Sequence, residues 1–417
     1  MKKITKIIRR FLGIKKGKID LTTHFDLGAE SACAPVCEDI DGDAKIETVL
    51  TTVKGEIIVF SEEHTIKWKY SVSEDVTEQD SMFLDAERSN SINNTPLVED
   101  IIGKGKKQII FGTEYGTVYA LDHEGKEIWR YKTNHPIRGG INTFKTKESN
   151  KTGIIFGSTD KYIYLLSTEG KLLRKLLNKS EIESTPEVID NNIIFGDNNG
   201  LIKSLTFKGK INWVFKTDDK VVTRPVKAKL YSGEDVILVS AVDNNLYCLS
   251  NKGELIWKFK TKGALYSEPV VLDINDDGLN EVIFGSADGN IYVITMQGNQ
   301  LWSYETDFWV IGKPVPKDID QDGAMEIIVG SYDNKIYVLT GKGLYIIEYV
   351  PGVSGIVAQN GNYSDIPSNT PGEIIGDKVW EYSTGGIVIG CAVVNDKIVV
   401  QTKEGKVLWL HYEEGKK

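Results

Sequence analysis

The sequence predicts an all-β fold, an eight-bladed β-propeller of four-stranded antiparallel blades. A unit of about 45 residues recurs along the 417-residue chain, and repeats of this length are typical of propeller blades. Each unit contains four short apolar runs separated by hairpin turns such as Asp288-Gly289 and Asn199-Gly200. The two chain ends carry complementary parts of one unit. Four antiparallel strands per unit and matching ends together favour a closed ring.

Each unit begins with a short leading strand, continues with two apolar strands, and ends with a strand that usually carries tryptophan. The leading strands contain Pro35, Pro96, Pro186, Pro225, Pro269 and Pro314, while "RGGI" and "IGCAVV" take that place in the third and last units. The last strands contain Trp68, Trp129, Trp213, Trp257 and Trp302, with Arg174 and Ile347 in the equivalent places. Counting leading strands gives eight blades. Seven blades are the alternative, because residues 351–382 interrupt the pattern.

The chain ends predict how the ring closes. Residues 397–417 match the two middle strands of a unit but stop before its outer strand, and "GKIDLTTHF" at 17–25 has the character of that strand. Pairing the two segments would remove an open sheet edge. Residues 17–417 are therefore predicted to form one propeller domain with insertions at 73–94 and 351–382. The second insertion is either part of the seventh blade or an extra, degenerate unit.

Three units carry a nine-residue acidic loop between the first two strands: "DIDGDAKIE", "DINDDGLNE" and "DIDQDGAME". Oxygen side chains at positions 1, 3, 5 and 9 can converge on one cation, and a full set of hard oxygen ligands favours calcium. The alternative is an Asp- and Gly-rich turn without metal. We predict two or three structural Ca²⁺ sites, the first less regular because Ala44 stands where glycine is expected. The ligands would be Asp39, Asp41, Asp43 and Glu47; Asp273, Asn275, Asp277 and Glu281; and Asp318, Asp320, Asp322 and Glu326.

Nearly the whole chain resembles quinoprotein-type (PQQ-like) propeller repeats, in which a "G-x-x-x-W" signal ends each blade, as in Gly125 to Trp129. The three acidic units also resemble the FG-GAP repeats of integrin-type propellers, which implies calcium in the same loops. The resemblance implies a fold more than a function, because propellers host many activities. Quinoprotein dehydrogenases of this fold hold PQQ beside a vicinal cysteine pair. Cys33 and Cys37 are four residues apart, so PQQ is not expected and no catalytic residue is assigned.

The charge distribution separates the first residues from the rest. The net charge is −9, yet the first 18 residues contain eight Lys or Arg and no acid, so the remainder carries −17. An acidic body argues against nucleic acid as a partner. Residues 1–16 form a basic amphipathic segment that predicts peripheral contact with an anionic membrane surface. The alternative is a tail held on the acidic body.

The sequence contains no apolar run of membrane-spanning length and no secretory signal, which predicts a cytoplasmic protein, at the membrane surface if the basic segment binds lipid. We expect a monomer. The predicted function is a non-catalytic binding or scaffold protein with structural calcium. It would engage a protein or glycan through a propeller face or the insertions. The alternative is a quinoprotein-like dehydrogenase or polysaccharide-active propeller enzyme, with its site at the central channel.

Overall fold

The computed structural model describes residues 18–74, 86–145, 152–347, 358–359 and 372–413. The basic segment 1–16 lies outside the described residues, as do parts of both insertions. Eight four-stranded antiparallel sheets are described, and we number them blades 1 to 8 in chain order. In each blade the inner strand is called A and the outer strand D. The predicted eight-bladed fold is confirmed.

The first four blades follow one another without interruption of the strand order. Their strands are β2–β5 (Val36–Glu38, Glu47–Thr51, Glu56–Phe60, Ile66–Ser71), β6–β9 (Leu97–Glu99, Gln108–Gly112, Thr117–Leu121, Glu127–Lys132), β10–β13 (Asn142–Lys145, Thr152–Gly157, Tyr162–Ser167, Leu172–Leu177) and β14–β17 (Glu187–Ile189, Asn192–Gly196, Leu201–Thr206, Ile211–Lys216). A short helix, α1 (Ala86–Ser89), precedes blade 2. No helix of the described residues is both long and apolar enough to cross a membrane.

The next three blades keep the same strand order, with one interruption in blade 7. Their strands are β18–β21 (Val226–Lys229, Asp235–Ser240, Asn245–Ser250, Leu255–Lys260), β22–β25 (Val270–Leu272, Glu281–Gly285, Asn290–Thr295, Gln300–Glu305) and β26, β27, β28 and β32 (Val315–Lys317, Glu326–Ser331, Lys335–Thr340, Lys378–Ser383). A separate three-stranded sheet of β29 (Leu344–Ile347), β30 (Ala358–Gln359) and β31 (Gly372–Ile375) lies in the chain between strands C and D of blade 7.

The outer strand of blade 7 corrects one sequence prediction. Trp380 in β32 pairs with Val338, as Trp302 pairs with Val293 in blade 6. Ile347, which the spacing placed in this role, instead belongs to the separate sheet. The prediction for Ile347 was therefore wrong, and residues 378–382 belong to the blade rather than to an insertion. The inserted chain displaced the tryptophan beyond the regular spacing.

Blade 8 joins the two ends of the described chain. It consists of β33–β35 (Val388–Val394, Lys397–Thr402, Lys406–Glu413) and β1 (Lys18–Asp26). Strand β1 is antiparallel to β35, with Leu21 opposite Leu410. The predicted closure by the N-terminal strand is confirmed, and it covers the edge that β35 would otherwise expose.

The core is divided among the contacts between blades. Eight buried apolar clusters are found in the described residues, one between each neighbouring pair of blades, including the pair formed by blades 8 and 1. Ile58 and Phe60 of blade 1, for example, pack with Val399 and Trp409 of blade 8. Burial of apolar side chains therefore stabilises the closed ring at every junction.

The tryptophans of the outer strands explain the recurring Gly-Trp spacing. The Trp68 indole N–H donates to the His123 carbonyl in the C–D turn of the next blade at 2.9 Å, and Trp129 repeats this with Thr168. The turn glycine lies against the ring: a Cβ on Gly125 would meet Trp68 Cε3 at 2.6 Å. Glycine and tryptophan of one "G-x-x-x-W" signal thus serve two different blade junctions.

Candidate functional site

The three acidic loops connect strands A and B of blades 1, 6 and 7, as predicted. In each loop three carboxylates offer oxygen atoms that all lie within 4.8 Å of one another. The groups are Asp39, Asp41 and Asp43; Asp273, Asp277 and Glu281; and Asp318, Asp320 and Glu326. The predicted ligands Glu47 and Asp322 are not in these groups, and the Asn275 amide donates to Asp277 at 3.0 Å. The structure therefore brings together nine of the eleven predicted carboxylate ligands.

Hydrogen bonds within the chain hold all three loops in one conformation. The glutamate at position 9 accepts the N–H of position 2: Ile40 to Glu47 at 3.1 Å, and Ile319 to Glu326 at 3.1 Å. The aspartate at position 1 accepts the N–H of position 6, which in the first loop is Ala44 at 2.9 Å. Ala44 adopts a φ of 68°, a left-handed conformation that disfavours side chains other than glycine. The loop geometry is thus kept at the cost of local strain.

In blade 1 a lysine ammonium lies among the carboxylates. Lys67 Nζ is 2.7 Å from Asp41 Oδ2 and 2.9 Å from Glu47 Oε1. The hydrogen bond from Lys67 lowers the pKa of Asp41. Burial opposes the charge on Lys67, yet its bonds to Asp41 and Glu47 raise the pKa of the ammonium above its usual value. Blade 1 therefore supplies its own cation.

A β-bulge in the outer strand explains why Lys67 reaches the loop. Lys67 is the extra residue of a β-bulge between Ile66 and Trp68 in the outer strand. Leu301 and Val379 occupy the same bulge in blades 6 and 7, immediately before Trp302 and Trp380. Among the described residues, no Lys or Arg forms an ion pair with the acidic loops of these two blades.

Blades 6 and 7 consequently hold uncompensated, buried acidic groups. Glu281 and Glu326 are only 1% and 5% exposed. Burial raises the pKa of Glu281 to about 7 and that of Glu326 to about 8. In blade 7 one oxygen of Asp318, Oδ1, is buried without a hydrogen-bond partner. These two loops have the charge and the oxygen atoms for a cation, whereas the blade 1 loop already holds one.

Blade 2 forms the same A–B loop with a neutral residue in place of the glutamate at position 9. Gln108 replaces the glutamate, and its Oε1 accepts the Ile101 N–H at 3.0 Å, so a neutral amide makes the same hydrogen bond. Asp100 keeps the role of position 1 and accepts N–H groups from Gly103 and Gly105. The loop conformation is therefore retained without the full set of charges.

The central channel opens on the opposite face, where linkers run from strand D of one blade to strand A of the next. Its mouth is a cavity of about 610 Å³. A proline immediately precedes strand A in six of the described blades. The cavity is lined by side chains one and three positions before these prolines, such as Lys313 before Pro314 and Glu183 before Pro186. The sequence analysis missed these residues, although their fixed distance from the prolines could have identified them.

Charged groups at the channel mouth form ion pairs across blades. Arg138 lies 3.0 Å from Glu114 and 3.1 Å from Glu183. Arg224 pairs with Glu187, and Lys313 pairs with Glu268. The mouth therefore presents fixed donors and acceptors in nearly equal number.

Aromatic rings lie in or near the lining of the channel mouth. Phe308 and Trp309 are 49% and 45% exposed, and their rings stack with centroids 5.1 Å apart. Tyr332, which lines the channel, has its ring 6.3 Å from Trp309 and donates its backbone N–H to the Trp309 carbonyl at 2.8 Å. Tyr266 of the preceding linker is 44% exposed. Trp309 is outside the tryptophan series that packs blades together, and the sequence analysis assigned it no role.

A comparison with protein families gives a specific match. The model of the lambda-carrageenase β-propeller domain matches residues 75–192, 192–272 and 263–351, about two thirds of the chain. The chain belongs to this family. Lambda-carrageenase of Pseudoalteromonas carrageenovora is 27% identical over 160 residues, and that of a Pseudoalteromonas species is 26% identical over 160 residues. These matches cover 38% of this chain but only 14% of each carrageenase.

Solved structures similar to this member of the carrageenase propeller family show the same fold. BamB from Moraxella catarrhalis superposes with a TM-score of 0.62 at 15% identity, covering 94% of this chain and 100% of BamB. The computationally designed Ika8 protein gives a TM-score of 0.62 at 13% identity, covering 93% and 97%. Both likenesses concern the fold alone. The PQQ-like and FG-GAP resemblances, the cytoplasmic location and the monomeric state stay predictions.

Proposed function

We propose that this carrageenase-type propeller is a non-catalytic binding protein whose channel mouth holds a polysaccharide chain. The exposed Phe308–Trp309 pair beside the channel is the observation that carries the proposal. Flat aromatic faces stack against the C–H groups of a sugar ring. The Lys313–Glu268 and Arg138–Glu183 pairs line the same channel mouth and supply donors and acceptors for hydroxyl groups. The names of the carrageenase relatives support a glycan over a protein as the ligand.

A polysaccharide-active enzyme is the second candidate, which the same relatives favour. Glycoside hydrolysis usually requires one carboxyl that is protonated and one that is ionised, flanking the scissile bond. The two carboxylates that line the mouth in the described residues, Glu183 and Glu268, are each engaged by a cation. This arrangement suits ligand binding better than proton transfer to a leaving group.

Binding of lambda-carrageenan, measured by isothermal titration calorimetry, tests the proposal. Replacing Trp309 and Phe308 with alanine should weaken binding by about tenfold, the value of one or two lost aromatic contacts. The control is Ile211→Ala, which changes a similarly exposed apolar residue on an outer strand. Equal affinity of both variants would contradict the proposal. Release of reducing ends during incubation would identify the enzyme instead.

We further propose that blades 6 and 7 each hold one structural calcium ion. Buried carboxylates without an internal cation support this, because an isolated buried charge costs free energy unless it is paired or coordinates a metal. Blade 1 needs no ion, since the Lys67 ammonium lies between Asp41 and Glu47. The proposed number of sites is accordingly two. Asp273, Asp277 and Glu281 would hold the first ion, and Asp318, Asp320 and Glu326 the second.

A further inference from the structure

The outer strand of blade 3, β13, exposes three leucines at an open sheet edge. Leu172, Leu173 and Leu177 are 46%, 58% and 69% exposed, and Leu177 is the most exposed large apolar side chain of the described residues. Strand β13 is hydrogen-bonded to β12 alone, so its other edge has no strand beside it. An open edge with exposed apolar side chains is a template for pairing with another extended chain.

The other blades have no leucine at this edge position. Where blade 3 has Leu177, the remaining blades have Asp26, Ser71, Lys132, Lys216, Lys260, Glu305 and Ser383. In blades 2 and 4 the lysine donates to a carbonyl of the B–C turn in the same blade, Tyr115 and Asn199 respectively. Charged and polar residues of this kind discourage pairing at a sheet edge. Blade 3 therefore lacks a protection that the repeat provides elsewhere.

The same strand carries an unusual charge. Arg174 takes the place of the packing tryptophan, opposite Leu165 of β12. It is exposed and forms no ion pair within the described part of the chain. The Lys175 ammonium lies 3.8 Å from the centroid of the Tyr162 ring, which fixes a second positive charge at the strand. Residues 171–179 contain four Lys or Arg and no acid, in a chain whose net charge is −9.

Charge and backbone together select the kind of partner. A second copy of β13 in antiparallel register would place Arg174 opposite Lys175, and like charges directly opposite each other are unfavourable. A lipid surface would bury the backbone groups of the open edge without hydrogen-bond partners, which costs free energy. An extended acidic segment supplies both the missing hydrogen bonds and the opposite charge.

We propose that β13 binds an extended acidic segment of a partner protein as a fifth strand of blade 3. The strand reads Leu-Leu-Arg-Lys-Leu-Leu over 172–177, so the complementary segment has two carboxylates at its centre and apolar residues on both sides. The leucines bury apolar surface against the segment, and Arg174 and Lys175 attract its carboxylates. Residues 172–177 do not line the channel mouth, so this interaction is independent of the glycan function and of calcium binding.

Fluorescence anisotropy with labelled peptides tests the proposal on the full-length protein. The probe is Thr-Val-Ile-Glu-Glu-Ile-Val-Thr, and the control peptide has two lysines in place of the two glutamates. We expect the acidic peptide to bind roughly tenfold more tightly, because the two central charge pairs change from attractive to repulsive in the control. No binding of the acidic peptide, or equal affinity of both peptides, would overturn the proposal.

Two variants copy residues that the chain already uses in other blades. Leu177→Ser introduces the serine of blades 1 and 7 and should weaken binding of the acidic peptide about fivefold, because apolar contact is lost. Leu255→Ser, on the outer strand of blade 5, is the matched control and should leave the affinity unchanged. Arg174→Trp introduces the packing tryptophan and should remove most of the preference for the acidic peptide. Equal weakening by the two serine variants, or an unchanged preference in Arg174→Trp, would count against the proposal.

Hydrogen exchange locates the bound peptide. A fifth strand should slow the exchange of backbone amides in 172–177, whereas the amides of β21 should exchange as before. Binding without this protection would overturn the proposal. The same holds if vesicles of phosphatidylserine bind the protein, or if the protein self-associates in sedimentation velocity, and Leu177→Ser abolishes that binding while the peptide protects no amide of β13. The edge would then contact lipid or a second copy of the chain.

Discussion

Replacing Lys67 with leucine should convert the blade 1 loop into a metal-dependent one. Leucine is the residue at the same bulge in blade 6, so the variant copies a solution that the chain already uses. Removing the ammonium leaves Asp41 and Glu47 without their cation. Breaking a buried pair costs about 3–5 kcal/mol, whereas an exposed pair contributes at most about 1 kcal/mol. Lys67 and Asp41 are 29% and 24% exposed and Glu47 is 1% exposed, which places the cost at about 2 kcal/mol.

Differential scanning calorimetry can detect this change. The unfolding entropy of a 417-residue chain is about 0.9 kcal/mol/K, so the Lys67→Leu variant should melt about 2 °C lower in EDTA. Calcium at about 100 times its Kd should restore roughly 2.7 kcal/mol through the new site. Isothermal titration should then count three calcium ions per chain in place of two.

The reciprocal change serves as the matched control. Leu301→Lys places an ammonium at the equivalent bulge of blade 6 and should reduce the count to one calcium ion. The reasoning would be refuted if Lys67→Leu loses stability equally with and without calcium, or if neither variant alters the number of ions bound. Either result would mean that the bulge residue does not decide which loop takes a metal.

Three further predictions concern protonation, a buried ion pair and ring closure. Burial raises the folded-state pKa values of Glu281 and Glu326 to about 7 and about 8, above the unfolded value. The folded state therefore keeps protons that the unfolded state has lost, and thermal unfolding in EDTA should show stability falling as pH rises from about 5 to about 8, with a smaller slope in Glu326→Gln. Lys203 and Asp197, 9% and 0% exposed, pair at 2.8 Å, so Lys203→Met should cost about 3 kcal/mol in chemical unfolding. Adding Asp197→Asn to Lys203→Met should recover most of that loss. If the double variant is as unstable as Lys203→Met alone, the prediction is contradicted. Deleting residues 1–26 removes β1 and should cause aggregation, which light scattering detects. Deleting residues 1–17 leaves β1 in place and is the control. If this shorter deletion causes the same aggregation, loss of ring closure is not the cause.

The fold was predictable because its signals are local. Hairpin turns, alternating strands and the Gly-Trp spacing recur within each unit, and the missing outer strand of the last unit has a match at 17–25. Ile347 was misassigned because inserted chain separates Trp380 from the rest of blade 7, and regular spacing carries no information about inserted residues. The small sheet of β29, β30 and β31 could not be predicted from the repeat, because its sequence does not match the repeated unit.

The acidic loops were predictable as loops, but their charge balance was not. Lys67 lies 20 residues from Glu47 in the chain, and only the bulge before Trp68 turns its ammonium toward the carboxylates. Glu47 and Asp322 were counted as ligands from loop position alone. The aromatic pair at the channel was missed for a related reason: tryptophan was interpreted only through the packing series, whereas Trp309 lies in a linker.

Closure by β1 has a kinetic consequence during synthesis. Thr22 Oγ1 lies 3.0 Å from His411 Nδ1, a contact between residues 389 positions apart. At roughly 5–20 residues per second, the ribosome needs about 20–80 s to synthesise the chain between β1 and its partner strand β35. During that interval β1 has no strand to pair with, and this is true of every nascent chain. Crowded polysomes would bring such segments together, so we expect β1 to be the part of this protein that most needs a chaperone.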